Sequence, residues 1–271
     1  MSPDSINVIK RNGRGLEPLD IQKIHSMVHY ACEGLSGVSE SQVEMNSGMQ
    51  FYDKMTTEEI QQILIKSASD LISLDKPNYQ YVAARLLLFS LRKGLHHRLW
   101  EHPTLLEHIK KCIDVGVYDK EFLVWYTNEE IEEMNMYIKH ERDYLFSYAG
   151  LRQVVDKYLV QDRSTGEIFE TPQFMYMMIA ATLFRNYDIE RRMDYVKKYY
   201  NAISQHLINI PTPVMAGVRT PLRQFASCVL VDTDDTLPSI FSSDMAIGRY
   251  VAQRAGIGIN AGRIRGINSR I

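Results

Sequence analysis

Three groups of residues in this chain have types and spacing that could do chemistry. In VIKRNGRGLEPLDIQKI, Lys10, Arg11, Glu17 and Lys23 flank a turn, and Thr57 and Lys93 stand at the ends of later helices. Lysine and arginine neutralise phosphates, and a helix start offers amide donors to the same anion, so one reading is a triphosphate site. The other is a solvated basic turn, which composition alone favours. Thr212, in NIPTPVM, lies between two prolines that fix their own backbone angles. Its hydroxyl and amide are therefore held on a stiff loop that suits a ligand phosphate, although a rigid turn into a strand would look the same. Cys228 sits in RQFASCVLV, where period-two alternation puts Phe225, Ser227 and Val229 on one face and Ala226, Cys228 and Leu230 on the other. This predicts that Cys228 points away from Ser227. A free cysteine in an apolar strand is commonly a small core residue, and spacing does not overturn that.

The elements that must position these groups are mostly helices. INVIKRNGRGLEPL reads as a hairpin turning at Asn12-Gly13. Asp20 then caps a helix whose apolar stripe is Ile21, Ile24, Val28, Ala31 and Leu35. A second helix is predicted from Ser39 to about Phe51. A third starts at Thr56 with Glu59 three residues on, the spacing of a capping box, and carries Ile60, Ile63, Leu64, Ala68 and Leu71 inward. Pro77 is placed as the first residue of a fourth helix with core positions Tyr79, Val82, Ala83, Leu86 and Leu87. Further helices start near Pro103, Thr127, Pro172 and Asp188, interrupted by a hairpin in YLVQDRSTGEIFE. After IPTP the pattern becomes β-rich. Gly256, Gly258 and Gly262 in AGIGINAGRIRGI have one residue too many for the dinucleotide fingerprint, so a Rossmann unit is rejected in favour of a closely packed strand. The expected domains are 1–95, 96–214 and 215–271.

Composition narrows the function classes. The chain has 271 residues, 45% hydrophobic and 24% charged, and a net charge of −2, an ordinary globular balance without a basic field for nucleic acid. No apolar run approaches the roughly 20 residues of a membrane span, and the start lacks a signal-peptide core, so the expectation is a cytoplasmic protein with neither membrane nor nucleic acid as partner. Cys32, Cys112 and Cys228 are too scattered for a disulfide framework or a zinc site. Cys32 and Cys112 fall on helical apolar faces and are expected in the core.

Three separated strings carry a family resemblance. VIKRNGRGLEPLDIQKI with MTTEEIQQILIKSASDLI and YQYVAARLLLFSLRK resembles the ATP-cone of ribonucleotide reductase large subunits. RTPLRQFASC is similar to the segment of those subunits that holds the first redox cysteine. AGIGINAGRIR is similar to the barrel strand that leads to their specificity-effector loop. The likeness is to the amino-terminal part of the large subunit of aerobic class I ribonucleoside-diphosphate reductase. It implies a mainly α fold with an α+β ATP-cone and the beginning of a ten-stranded α/β barrel. It also implies that Lys10, Arg11, Glu17, Asp20, Lys23, Thr57 and Lys93 contact ATP or dATP with magnesium, relative to a pattern in which Arg14 and Gly15 are offset by an inserted residue. Cys228 would be one of two dithiol cysteines, forming a disulfide in turnover. Thr212, Ser227 and Gly256 would be substrate contacts, and Asp235, Thr236, Leu237 and Arg265 would be contacts of a deoxynucleoside triphosphate specificity effector.

By the same likeness the substrates are ribonucleoside diphosphates, the product serves DNA synthesis, and the radical comes from a metal centre in a small partner subunit. Thioredoxin or glutaredoxin would reset the disulfide. A second cysteine, the radical cysteine and the radical path are expected in a complementary carboxy-terminal chain, without which the chain is expected to be inactive. Between a shortened chain and a naturally divided subunit, the expectation is the divided one, because a barrel begun but not closed would expose strand edges and apolar surface. Two rivals stand beside the enzyme: a stand-alone ATP-cone regulator that senses nucleotide without catalysis, and a helical scaffold in which every feature is packing.

Overall fold

The computed structural model describes residues 6–11, 15–48, 50–162, 164–222, 224–253 and 255–270. Strand β1 (Asn7–Ile9) pairs antiparallel with β2 (Leu16–Pro18), so the opening hairpin forms as predicted; its Asn12-Gly13 tip and Arg14 lie outside the described residues. Asp20 caps α1 (Ile21–Cys32), its carboxylate accepting from the amides of Gln22 and Lys23. Ile24, Val28 and Ala31 are buried as the spacing requires, but Ile21 at the first turn is 68% exposed. Helix α2 (Glu40–Gly48) is shorter at both ends than the predicted 39–51. The two-residue strand β3 (Met55–Thr56) joins β1 in parallel, giving a sheet of order β2-β1-β3.

Thr56 is also the cap of α3 (Thr57–Asp70). Its hydroxyl accepts from the Glu59 amide while Glu59 reaches back to the Thr56 amide, so two orphan donors at the helix end are satisfied together. Helix α4 (Tyr79–His96) packs on α3 and α1, with all five predicted core positions buried. Pro77 is not its first residue; Asn78 holds the cap position and Pro77 lies in the turn before it.

The middle of the chain is helical. Thr104, rather than Pro103, starts α5 (Leu105–Asp114) through a capping box with Glu107. After the short α6 (Phe122–Trp125), Thr127 caps α7 (Asn128–Tyr137) with Glu130. A 3-10 segment (His140–Leu145) leads to α8 (Tyr148–Gln153), which continues into one π turn (Val154–Tyr158). The predicted YLVQDRSTGEIFE hairpin contracts to one antiparallel bridge, Gln161 to Ile168, because Asp162 ties back to the Ser164 amide and the Glu167 carbonyl and closes a tight turn. Helix α9 (Pro172–Phe184) is buried from Pro172 to Thr182 and lies against α10 (Ile189–Ser204), which Asp188 caps. The polar Gln173 in this core is satisfied on both sides, donating to Asp143 and accepting from Tyr200.

The short α11 (Thr212–Gly217) precedes β4 (Cys228–Asp232), which pairs in parallel with β5 (Gly256–Asn260). Between them runs α12 (Leu237–Ala252), a crossover helix that the sequence reading did not identify. The strand begins at Cys228, so Ser227 lies outside the regular pleat and the predicted opposition of the two side chains fails: Ser227 Oγ is 3.6 Å from Cys228 Sγ. Cys32 and Cys112 are buried as expected, and desolvation raises both thiols, Cys32 to about 11. Among the described residues no helix is long and apolar enough to cross a membrane.

Candidate functional sites

The hairpin, α1, α3 and α4 enclose a cavity of about 510 Å³, and Lys10, Arg11, Glu17, Asp20, Lys23, Thr57 and Lys93 all line it. The hairpin brings Lys10 against Glu17 at 2.7 Å, and this partner holds the Glu17 carboxyl below its usual range. Lys23 leans on Asp20 one turn back at 3.6 Å. Arg11 donates to the carbonyl and hydroxyl of Ser90 on α4 at 2.9 and 3.0 Å, so its guanidinium forms the wall toward α4. Lys93, one turn from the end of α4, is partly buried without a carboxylate partner among the described residues. Burial, then the charges of Arg11 and Lys23, push its ammonium below the usual lysine range. A cation in that state is stabilised by an incoming anion. Val8, Leu19, Ile24, Met27, Ile60 and Leu64 give the wall an apolar stretch, and Gln61 adds an amide to it. The site thus offers a basic rim and a greasy floor, the two halves that a nucleoside triphosphate needs. His97 also lines it, from a left-handed backbone (φ 59°), and the sequence reading missed it although it follows Lys93 by one helical turn.

A second cavity, of about 710 Å³, lies between α8, its π turn, the 206–212 segment and the start of the barrel strand. Thr212 and Ser227 both line it. The Tyr158 hydroxyl approaches Thr212 Oγ1 at 3.3 Å, a neighbour that sequence reading did not select because its place depends on the π turn. Cys228 is exposed beside Ser227 and registers opposite Gly256. The Gly256 amide donates to the Ser227 carbonyl at 2.9 Å, and a Cβ at Gly256 would meet that oxygen at an ordinary contact distance of 3.5 Å.

Asp235, Thr236, Leu237 and Arg265 also come together. Thr236 caps α12 by accepting from the Ser239 amide, and Leu237 is the first residue of the helix. Arg265 donates to the Asp235 carboxylate at 2.5 Å and to the Asp235 carbonyl at 3.1 Å.

Comparison with known proteins matches the segments in which these residues lie. Residues 6–94 match the ATP cone domain, residues 144–223 the ribonucleotide reductase all-alpha domain, and residues 226–271 the ribonucleotide reductase barrel domain. The chain belongs to the ribonucleotide reductase large-subunit family. It is 52% identical over 267 residues to ribonucleoside-diphosphate reductase 1 subunit alpha of Salmonella typhimurium, covering 98% of this chain and 35% of that protein. The Escherichia coli subunit of the same name is 52% identical over 264 residues, with 97% and 34% covered. The ribonucleoside-diphosphate reductase subunit alpha of Enterobacteria phage T4 is 45% identical over 266 residues, with 98% and 35% covered. The chain therefore spans about a third of the length of these relatives.

Proposed function

We propose that this chain provides the nucleotide-sensing cone and the first half of the substrate pocket of a ribonucleoside-diphosphate reductase that makes deoxyribonucleotides for DNA synthesis. One observation carries the reading: an exposed thiol, Cys228, emerges beside a cavity that Thr212 and Ser227 line, at the start of the β4–β5 pair. Thr212 and Ser227 bind and orient the ribonucleoside diphosphate, and Gly256 leaves room for it beside the main chain. Cys228 is one thiol of a dithiol. With a second cysteine it gives two electrons and two protons to the substrate, whose 2′-hydroxyl leaves as water, and the two sulfurs join in a disulfide. A thiol protein such as thioredoxin or glutaredoxin then resets that disulfide by exchange. The radical that starts turnover is supplied by the metal centre of a small partner subunit. The second cysteine, the radical cysteine and the remaining pocket walls belong to the other two thirds of such a subunit, on the same polypeptide or on a complementary one.

The cone cavity takes ATP as activator and dATP as inhibitor. Lys10, Lys23, Arg11 and Lys93 meet the phosphates, and the apolar floor takes the base. Magnesium bound to a triphosphate would draw most of its ligands from phosphate oxygens and water, and Glu17 and Asp20 would be the carboxylates beside its hydration shell. Asp235, Thr236, Leu237 and Arg265 form one side of a specificity-effector site. The cytoplasm is the compartment in which a thiol of this kind is kept reducible.

CDP reduction by the chain combined with the remainder of the large subunit and the radical-generating subunit tests the proposal. Turnover is expected from the assembly, none from the chain alone, and none from the assembly carrying Cys228→Ser. Undiminished turnover in that variant would remove the redox role. Equilibrium binding of dATP to the chain by itself separates a nucleotide sensor from a scaffold, which would not bind it.

A further inference from the structure

Behind the Thr212 cavity lies an ion pair that the chemistry above does not use. Arg219 and Glu170 are both fully buried, and Arg219 grips the carboxylate with two donors, Nε to Oε2 at 2.9 Å and Nη2 to Oε1. Glu170 also accepts from the Tyr118 hydroxyl and from the Val160 amide at 2.7 Å. The remaining reach of Arg219 goes to the main chain: Nη1 donates to the Met215 carbonyl at 2.5 Å, inside α11, and Nη2 to the Tyr158 carbonyl at 2.8 Å. The Arg219 carbonyl in turn accepts from the Asp119 amide.

A buried ion pair is commonly no more stabilising than hydrocarbon of the same volume, because desolvation offsets the attraction. What it does and hydrocarbon cannot is fix several backbone groups in direction as well as distance. Here the fixed groups are Tyr158 and the α11 turn, and these carry the two hydroxyls, Tyr158 and Thr212, that meet at 3.3 Å on the cavity wall. Gln153 donates to the same Tyr158 hydroxyl at 3.1 Å, so its orientation is set from a third direction.

We infer that Glu170 and Arg219 are positioning residues for substrate binding: they hold Tyr158 and Thr212 as a two-hydroxyl clamp on the diphosphate end of the ribonucleotide. This rests on the reductase reading and names the residues through which its pocket is held. A clamp acts on KM. A merely structural role would lower the fraction of active molecules, and so kcat, without moving KM.

The experiment uses the assembled reductase, whose CDP turnover and its loss on Cys228→Ser establish the underlying reading first. Glu170→Gln keeps the volume but leaves the buried Arg219 cation without its counter-charge. Its KM for CDP is expected to rise about tenfold with kcat within about threefold of the parent. Thr212→Val is expected to raise KM by a similar factor. Because the two act through one clamp, the double variant is expected to stay near the larger single effect rather than reach the product of about a hundredfold. An unchanged KM in Glu170→Gln, or multiplicative effects in the pair, would overturn the positioning role while leaving the reductase reading intact. If Glu170→Gln fails to fold, Tyr158→Phe decides. It removes one hydroxyl from the wall, and a KM rise of at least about threefold supports the clamp, whereas a parental KM overturns it.

Discussion

Around the cone cavity the charged groups stand on a floor that includes Val8, Ile24, Ile60 and Leu64, all largely excluded from water, whereas around Cys228 the supporting elements keep apolar faces open. Leu230 is 88% exposed, and Phe241 and Met245 on α12 are 67% and 61% exposed. The first site is complete within one hairpin and three helices. The second has a thiol, a hydroxyl and a strand pair but few side chains packed across them. Under the proposed reading, a sensing site works as a self-contained module, while a site for radical chemistry, which must hold several groups to sub-ångström tolerance, draws its walls from more of the fold.

Core truncation should break this contrast most visibly. Leu64→Ala beneath the cone cavity is expected to cost about 2–5 kcal/mol in urea unfolding, and Leu230→Ala on β4 to stay within about 0.5 kcal/mol, since the second residue has little buried contact to lose. Equal costs would mean that the barrel strands are as well packed as the cone.

Acid should act on the helical middle. His96, His102, His108 and His140 crowd together; their rings contact one another or Phe174, and desolvation leads the effects that hold them at about 4, 3, 3 and 2. The charges facing them are Arg92, Lys111 and Arg219. Since unfolded histidines titrate near 6.5, the unfolded state binds more protons below that pH, and stability present at neutrality is lost as the pH falls toward 4. Asp143, raised by burial to about 6 despite Arg92, works in the opposite sense over the lower part of that window and offsets one histidine. A net loss of a few kcal/mol between pH 7 and 4.5 is expected from chemical denaturation, at up to about 1.4 kcal/mol per pH unit for each histidine. A flat profile would contradict the burial of the cluster.

A smaller effect sharpens the account of the sensing site. Lys93→Gln is expected to weaken dATP binding about tenfold, or about 1.4 kcal/mol. In the parent the ligand should restore the depressed Lys93 pKa, so binding takes up a proton and affinity falls as pH rises through the interval between the free and bound values. Calorimetry in buffers of different ionisation enthalpy reads that proton directly. Smallest of all, Thr56→Ala should cost about 1 kcal/mol of cone stability through loss of the capping box.

Much of the cone was legible because its signals are local. Asp20 and Thr56 with Glu59 announce helix starts within four residues, and the apolar spacing of α4 names its buried side. The same grammar stands in TLLE and in the Thr236-Leu-Pro start of α12, where a threonine caps each helix. The seven cone residues line one cavity, and Thr212 and Ser227 line another. What could not be read is what depends on distant partners. Arg219 and Glu170 are 49 residues apart, and no periodicity pairs them. Tyr158 reaches Thr212 only because α8 ends in a π turn, and Ser227 meets Cys228 because the pleat begins one residue later than alternation assumed.

Helix α9 has no wet side. Every position from Pro172 to Thr182 is enclosed, with α10 along it and the His108 ring flat on Phe174 at 4.2 Å. For most helices evolution has an outward stripe on which to drift. Here it has none, so the record of tolerated substitutions in this segment should be an unbroken barren band eleven residues wide, without the three-to-four rhythm that marks its neighbours.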